Sequence, residues 1–464
     1  MSPLEVVQQH YRFPDWLVPF PAQVDTINSL GDLECQGHWL DMGVGKTFTA
    51  TAVALYLKIT RKLPTLVIMP PILLRQWAAW LAQISPKLRV TLYKGTPKQR
   101  DELSLDADFV LVGIQIFKRD HARFQQQFLG RDFFTIVDEA TEIAWITSKQ
   151  HEMVYDFILG QPRAMLTGTP ANKPLDTYGL MKFSAPQVYR NYKHFCNLHV
   201  ESFDMFKNPE TYRDLDDMKR KLLTNAKRYL YEDVHKDAIT PLFVPIKYDL
   251  DPEHHKLYTR LAETEILQLG EGKIDATNEN KLIHALGQIV LNWGVFAGDP
   301  SLVSETVGLV EQKLKELNGK KLVVFANYKM SVKLLVEHFG AVCAGGINGD
   351  ATQGQKDRSI EAFINDPTKT LLVVQVRSGG KGLDGLQHVC HHCMFIEPCT
   401  APRDFHQAVA RLKRTGQRYK VMVMIAIANG TLQRDKFKSL LDNDTLINKV
   451  VRNAVELRAL IYGK

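Results

Sequence analysis

Residues 38–59, HWLDMGVGKTFTATAVALYLKI, set an apolar strand end, a glycine-rich turn and a helix-compatible run in immediate succession. Within it, Leu40-Asp41-Met42-Gly43-Val44-Gly45-Lys46-Thr47 has the make-up of a phosphate-binding loop. Gly43 and Gly45 permit a tight turn whose backbone N–H groups face phosphate oxygens, and the positive end of the following helix adds to the attraction. Lys46 is placed to meet the β- and γ-phosphates, and the Thr47 hydroxyl to help hold Mg²⁺. Loops of this class usually open with glycine five positions before the Gly of the Gly-Lys pair; Leu40 stands there, although GxGKT is intact. The plain alternative is a glycine-rich turn beside a surface lysine, and the residues on either side weigh against it.

Short β-rich runs follow the loop: TLVIM at 65–69, FVLVGI at 109–114, FFTIV at 133–137 and RAMLTG at 163–168. Each leads into a polar or helix-compatible stretch, as expected where buried parallel strands alternate with helices. A second series begins after Asn318-Gly319, with KLVVFANY at 321–328, TLLVVQV at 370–376, CMFIEP at 393–398 and YKVMVMIAI at 419–427. Between them lie the helix-compatible LYTRLAETEILQL and KLIHALGQIVLNW, separated by GEGKIDATNEN, which reads as a loop or short linker. The expected organisation is therefore α/β, with a first lobe over 1–240, a helical connecting region over 241–318 and a second lobe over 319–464.

Composition agrees with a chain able to bury a large core. Of 464 residues, 45% are hydrophobic and 23% charged, which excludes a mostly disordered chain and a disulfide-stapled miniprotein. Six cysteines are too few and too unevenly placed for a disulfide framework. No apolar run reaches the roughly 18 to 20 residues needed to cross a bilayer. MSPLEVVQQH lacks a basic segment followed by an apolar one, so a soluble, reduced, intracellular protein with no membrane partner is the expectation. The net charge is +7, but residues 371–464 hold 15 Lys/Arg against 7 Asp/Glu, so the basic excess is confined to the C-terminal end.

Asp138 and Glu139 immediately follow FFTIV, so a strand terminus presents both carboxylates near the loop without burying either in the apolar core. Asp138 suits organisation of Mg²⁺, and Glu139 suits polarisation of an attacking water. A solvated acidic pair at a helix start is the bland reading, and GxGKT about 90 residues upstream makes it the weaker one. Thr167-Gly168-Thr169-Pro170 ends another strand; its hydroxyls can reach the acidic pair or a nucleic-acid phosphate, although an ordinary turn has the same composition.

The second half carries Gln407-Ala408-Val409-Ala410-Arg411-Leu412-Lys413-Arg414-Thr415-Gly416-Gln417. A helix over 404–414 would make Gln407, Arg411 and Arg414 neighbours, and planar guanidinium groups bind phosphate with several directed donors. Upstream, Arg377-Ser378-Gly379-Gly380-Lys381-Gly382-Leu383-Asp384 offers close backbone approach to phosphate through its glycines and a backbone contact through Ser378. A surface charge run and a flexible loop are the respective plain readings.

In order and content these motifs resemble the Swi/Snf-type branch of superfamily 2 nucleic-acid-dependent ATPases. The resemblance covers nearly the whole chain, from Phe20-Pro21-Ala22-Gln23 through DMGVGKT, PPILLRQW, DEAT, LTGTP, VVFANY, RSGGKGLDGL and QAVARLKRTGQ to NGTLQRDKF. DEAT ends at Thr141 where DEAH or DEAD is more familiar, and Asp384 stands where the family often has Asn. The resemblance implies two tandem RecA-like parallel-sheet domains with a nucleotide cleft between them, and ATP and Mg²⁺ as cofactors. It assigns Gln23 to adenine, Gly43, Gly45, Lys46 and Thr47 to phosphate, Thr47 and Asp138 to the metal, and Glu139 to water activation. Arg411 and Arg414 fall across the cleft, Arg414 as the arginine finger. Gln76, Thr167, Ser378 and Gly379 fall on the nucleic-acid path, while Trp77 reads as packed and Tyr11 and Phe13 as core.

The activity implied is an ATP-dependent DNA translocase that tracks on duplex DNA. The alternatives are a strand-separating DNA or RNA helicase, for which single-stranded DNA or RNA would be the partner, and an ATP-gated nucleic-acid-binding assembly factor with an unidentified protein partner. Strand displacement separates the first, and steady duplex-stimulated turnover argues against the second. The compartment expected is cytoplasmic or nucleoid-associated for a microbial or viral protein and nuclear for a eukaryotic one. Cys390, Cys393 and Cys399 with His391 and His392 invite a zinc site, but the apolar MFI inside this run reads as a strand and the cysteines as buried packing.

Overall fold

The structure is a computed structural model. It describes residues 1–171, 173–235, 240–264, 266–269, 272–275, 279–379, 383, 385–399, 401–414 and 416–438. The chain divides into two compact units, the first reaching Ala238 and the second beginning at Ile239.

The first unit contains β1 (Cys35–Leu40), β2 (Thr65–Met69), β3 (Val90–Tyr93), β4 (Phe109–Gly113), β5 (Phe134–Asp138), β6 (Arg163–Leu166), a hairpin of β7 (Val200–Phe203) and β8 (Pro209–Tyr212), and β9 (Ala226–Tyr229). Seven of these form one sheet in the order β3-β4-β2-β5-β6-β1-β9, with every adjacent pair parallel. Strands β2, β4 and β5 are buried along their whole length, which is why they read as unbroken apolar runs. Val67, Leu111 and Ile136 pack on one face with Val53 and Leu57 of the helix Lys46–Arg61, and Ile68, Val112 and Val137 pack on the other with Phe117, Phe124 and Phe183. Because all seven strands run the same way, the chain leaves β1, β2, β5 and β6 at one edge, where the loop, PPILLRQW, DEAT and TGTP lie.

The second unit contains β10 (Leu242–Tyr248), a separate pair β11 (Ile266–Leu269) and β12 (Gly272–Asp275), then β13 (Leu322–Ala326), β14 (Cys343–Ile347), β15 (Leu371–Gln375), β16 (His392–Phe395) and β17 (Met422–Ala428). Its sheet has the order β10-β17-β16-β13-β15-β14, again wholly parallel. Residues 241–318 hold the helices Pro252–Thr264, Glu279–Ala297 and Glu305–Leu317, and begin with β10, an edge strand of this second sheet. Part of the polar stretch 270–280, read above as a loop, is strand: Gly272–Asp275 pairs antiparallel with Ile266–Leu269, while 270, 271 and 276–278 lie outside the described residues. Among the described residues no helix is long and apolar enough to cross a membrane.

The expected helix over 404–414 is corrected to Pro402–Val409. Beyond Val409 the regular helical ladder breaks into a turn: Arg411 N–H donates to Ala408 O at 3.2 Å, and Val409 O accepts from both Leu412 N–H at 3.0 Å and Lys413 N–H at 3.1 Å. Leu412 is buried in the core, and the Gln417 amide holds the turn by donating to Leu412 O at 3.2 Å and Cys390 O at 2.9 Å. Arg411 and Arg414 therefore sit on this turn and not on the helix that carries Gln407.

Candidate functional site

The phosphate loop leaves β1 with Gly43 at φ 81° and Gly45 at φ 90°, the left-handed region that glycine enters without a steric cost. Gly45 has a second constraint, since a Cβ there would lie 2.2 Å from Gln23 Nε2. The helix begins at Lys46. Lys46 Nζ folds back to donate to the carbonyls of Leu40 at 2.9 Å and Asp41 at 3.4 Å. Burial lowers the Lys46 pKa, and the charges of Glu139, Asp138 and Asp41 oppose that shift, so the acidic pair and the lysine share one electrostatic site.

Gln23 is buried near the start of the helix Pro21–Leu30. Its Oε1 accepts from Phe20 N–H at 2.9 Å and its Nε2 donates to Val44 O at 2.8 Å, so the residue assigned to adenine binds the loop itself. Tyr11 and Phe13 pack on the apolar cluster containing Phe48, with the Phe13 and Phe48 rings edge to face at 5.4 Å.

Asp138 closes β5 and is 7% exposed. Trp77 Nε1 donates to its Oδ2 at 2.8 Å, and Glu139 N–H donates to its Oδ1 at 2.9 Å. Burial raises the Asp138 pKa, and the adjacent Glu139 charge raises it further. Glu139 sits at φ 54°, a left-handed backbone costly for any residue with a Cβ, and turns the chain abruptly from the strand into the short helix Ala140–Ile143. A loop with two left-handed glycines, a helix start at a lysine and hard carboxylate oxygens beside them fits a nucleoside triphosphate with Mg²⁺.

The remaining sequence-derived residues divide. Gln76 is exposed on the helix Leu74–Ile84, one residue before buried Trp77. Thr167 is fully buried, and its hydroxyl donates to Thr169 O at 3.0 Å and accepts from Thr169 N–H at 3.1 Å, so it closes its own turn. In the second unit, Gln407 and Arg411 are buried and Arg414 half-buried. Ser378 and Gly379 end the short helix Val376–Gly379; 380–382 and 384, including Asp384, lie outside the described residues, as does Thr415. Cys390, Cys393 and Cys399 are buried; burial pushes the Cys390 thiol up to about 12, and its Sγ donates to Lys321 O at 3.1 Å and His392 O at 3.2 Å. Among the described residues no three His, Cys, Asp or Glu side chains converge as a metal site.

Sequence reasoning missed three contributors. Trp77 was read as packing alone, although WxxW spacing on an amphipathic helix does place its indole on the sheet. Arg228 of β9 reaches the loop strand, with Nη1 donating to Trp39 O at 2.7 Å. Tyr231 borders Gly43, where a Cβ would lie 2.8 Å from its ring. Neither of the last two carries a local signal, because both reach the loop from about 190 residues downstream.

Comparison with known proteins adds an independent line. A family model described as an SNF2-related domain matches residues 39–290, and one described as a helicase conserved C-terminal domain matches 305–416. An uncharacterized ATP-dependent helicase of Mycoplasma genitalium is 24% identical over 434 residues, covering 88% of this chain and 40% of that protein. The SWI/SNF-related matrix-associated actin-dependent regulator of chromatin subfamily A member 1 of Homo sapiens is 24% identical, covering 85% of this chain and 39% of that protein. The chain thus spans about two-fifths of the length of these curated relatives. Among solved structures, the Sulfolobus solfataricus SWI2/SNF2 ATPase core in complex with dsDNA is similar at 20% identity and TM-score 0.43, covering 95% of this chain and 98% of that one.

Proposed function

The chain belongs to the SNF2-related family, and from that premise we propose that it is an ATP-dependent DNA translocase that hydrolyses ATP while tracking on duplex DNA. The observation that carries the reading is that parallel strands β1 and β5 of one sheet end, respectively, in a loop with two left-handed glycines followed by Lys46 and in Asp138-Glu139, whose charges act on that lysine. A lysine for the phosphates, an oxygen ligand for a divalent cation and a second carboxylate for water are the parts that phosphoryl transfer requires.

In this reading the loop amides and Lys46 bind the β- and γ-phosphates, and the Lys46 ammonium leaves the Leu40 and Asp41 carbonyls to do so. Thr47 and Asp138 would hold Mg²⁺, which when bound offsets charge on the phosphate oxygens. Asp138 is held in a fixed orientation by Trp77. Glu139 orients the attacking water and takes up its proton. Arg414, with Arg411 as the second candidate, would supply positive charge to the phosphoryl group during transfer. Gln76, Ser378 and Gly379 are proposed backbone contacts on the nucleic acid, which would give little sequence preference. Thr167 enters only through the turn it closes.

The deciding experiment compares ATP turnover with no nucleic acid, duplex DNA, single-stranded DNA and duplex RNA at equal salt. The reading expects the greatest stimulation from duplex DNA and no displacement of a labelled strand. Turnover indifferent to all three nucleic acids would overturn it.

A further inference from the structure

Strand β9 carries a side chain that joins two motifs from neighbouring strands. Arg228 is in register with Trp39 of β1. Its Nη1 donates to two carbonyl oxygens, Trp39 O at 2.7 Å and Gly168 O at 3.0 Å. Because β1 lies between β6 and β9 in the sheet, the guanidinium reaches over the end of β1 and fastens the 167–170 turn, which leaves β6, to the strand that feeds the phosphate loop.

The same turn also approaches Lys46. A Cβ on Gly168 would lie 3.3 Å from Lys46 Nζ and 3.5 Å from Leu40 O, the carbonyl that Lys46 itself bonds. Arg228, Gly168, Lys46 and Leu40 thus form one contiguous set. Electrostatics link them as well, since the Arg228 charge acts on Lys46 in the direction opposite to Glu139 and Asp138. The strand that bears Arg228 is braced: Tyr229 Oη donates to Asp25 at 2.6 Å, Lys227 pairs with Asp25 at 2.9 Å, and Asp41 N–H donates to Tyr229 O at 2.9 Å. Asp25 lies on the Gln23 helix, so the guanidinium stands on a mount tied to both sides of the loop. Charge-assisted bonds to two carbonyls resist independent movement of the two segments more strongly than neutral bonds would.

We infer that Arg228 is a positioning residue that couples the 167–170 turn to the phosphate-loop lysine, so that the turn and Lys46 shift together during turnover. The inference rests on the ATPase reading above and adds to it a link in the first unit between the 167–170 turn and the phosphate-loop lysine. It predicts a split between binding and turnover, because substituting Arg228 removes none of the loop groups assigned to the phosphates.

The test measures nucleotide affinity and single-turnover ATP hydrolysis, with and without duplex DNA, for the wild type, Arg228→Ala and Arg228→Lys. Arg228→Ala should keep affinity within about threefold and lose about tenfold or more of the DNA-stimulated rate. Arg228→Lys retains a cation with shorter reach and should recover part of the loss. Gly168→Ala, which intrudes on Lys46 from the same turn, should be non-additive with Arg228→Lys. An unchanged stimulated rate in Arg228→Ala, or full additivity with Gly168→Ala, overturns the inference. If Arg228→Ala fails to give a cooperative thermal melt, Arg228→Gln against Arg228→Lys takes its place, and equal rates for the two overturn it. If wild-type turnover ignores DNA, the translocase reading fails on its own, and the same variants judged on the basal rate still decide the role of Arg228.

Discussion

The indole N–H of Trp77 donates to Oδ2 of Asp138 across 2.8 Å, joining the helix Leu74–Ile84 to the end of β5. Both side chains are buried, and the other carboxylate oxygen accepts from Glu139 N–H, so the Asp138 rotamer is held from two directions. Trp77→Phe keeps most of the packing and removes the donor. The expected cost is about 1–3 kcal/mol of stability, read by urea unfolding, because a buried acceptor loses its partner. ATP turnover should also need more Mg²⁺, and an unaltered Mg²⁺ dependence would reduce Trp77 to a packing residue.

Lys46→Ala should weaken nucleotide binding roughly 10- to 100-fold, the range for one lost charge-assisted contact. Nucleotide titration and turnover should fall together. Near-normal values for both would remove Lys46 from the phosphate site.

Glu139→Gln preserves the shape of the side chain at its left-handed position and takes away the carboxylate base. ATP binding should persist while single-turnover hydrolysis drops by roughly 10²-fold or more, the usual contribution of a positioned general base. Wild-type cleavage in this variant would assign water activation elsewhere.

What could be read from the sequence follows from how each element is buried. Strands β2, β4, β5, β13 and β15 are enclosed on both faces and appear as apolar runs that need no context. Within the two large sheets, four others escaped notice for separate reasons. β3 is a four-residue edge strand, β9 is Ala-Lys-Arg-Tyr with only its first residue buried, β10 contains Pro245, and β14 contains Gly345 and Gly346. Each breaks the pattern that marks a strand and is fixed by its pairing, β3 and β14 with the next strand and β9 and β10 with strands far away in the chain. The site divides in the same way. Gly43, Gly45, Lys46 and Asp138-Glu139 are contiguous motifs and were legible, whereas the bonds of Gln23 to the loop, of Trp77 to Asp138 and of Arg228 to Gly168 exist only once the sheet has assembled.

Glu397, just beyond β16, is fully buried and accepts from the N–H groups of Asn327 at 2.6 Å and Tyr328 at 3.0 Å and from the Ser331 hydroxyl. Burial pushes its carboxyl up from 4.5 to about 7, against the pull of these donors and of Lys436. Below pH 4.5 the group is protonated in both folded and unfolded chains; between 4.5 and about 7 the unfolded chain ionises first, so stability falls as pH rises through that window. Glu397→Gln cannot ionise and should flatten this part of the curve while lowering stability overall, since its amide presents fewer acceptors to Asn327, Tyr328 and Ser331. Thermal melts from pH 4 to 8 would show it, and parallel curves for the two proteins would exclude Glu397 as the titrating group.

Arg411 and Arg414 share a turn but not an environment, and the difference separates their predicted effects. Arg411 is 7% exposed, packed beside buried Leu412, so Arg411→Ala should lower the unfolding midpoint as well as turnover. Arg414 is half-buried, two positions before Gly416 at φ 95°, and truncating it removes less packing. Arg414→Ala should therefore leave thermal stability and nucleotide affinity near wild type, because the phosphate loop and both carboxylates belong to the first unit, and should selectively lower single-turnover hydrolysis. Where a site depends on an arginine finger the loss is roughly 10³- to 10⁵-fold, and a far smaller loss would mean that another cation carries the charge. Measuring hydrolysis beside affinity, with and without duplex DNA, separates the cases: loss of the DNA-stimulated rate with affinity retained supports Arg414, whereas an unchanged rate in Arg414→Ala together with a reduced rate in Arg411→Ala, corrected for its folded fraction, would move the role to Arg411.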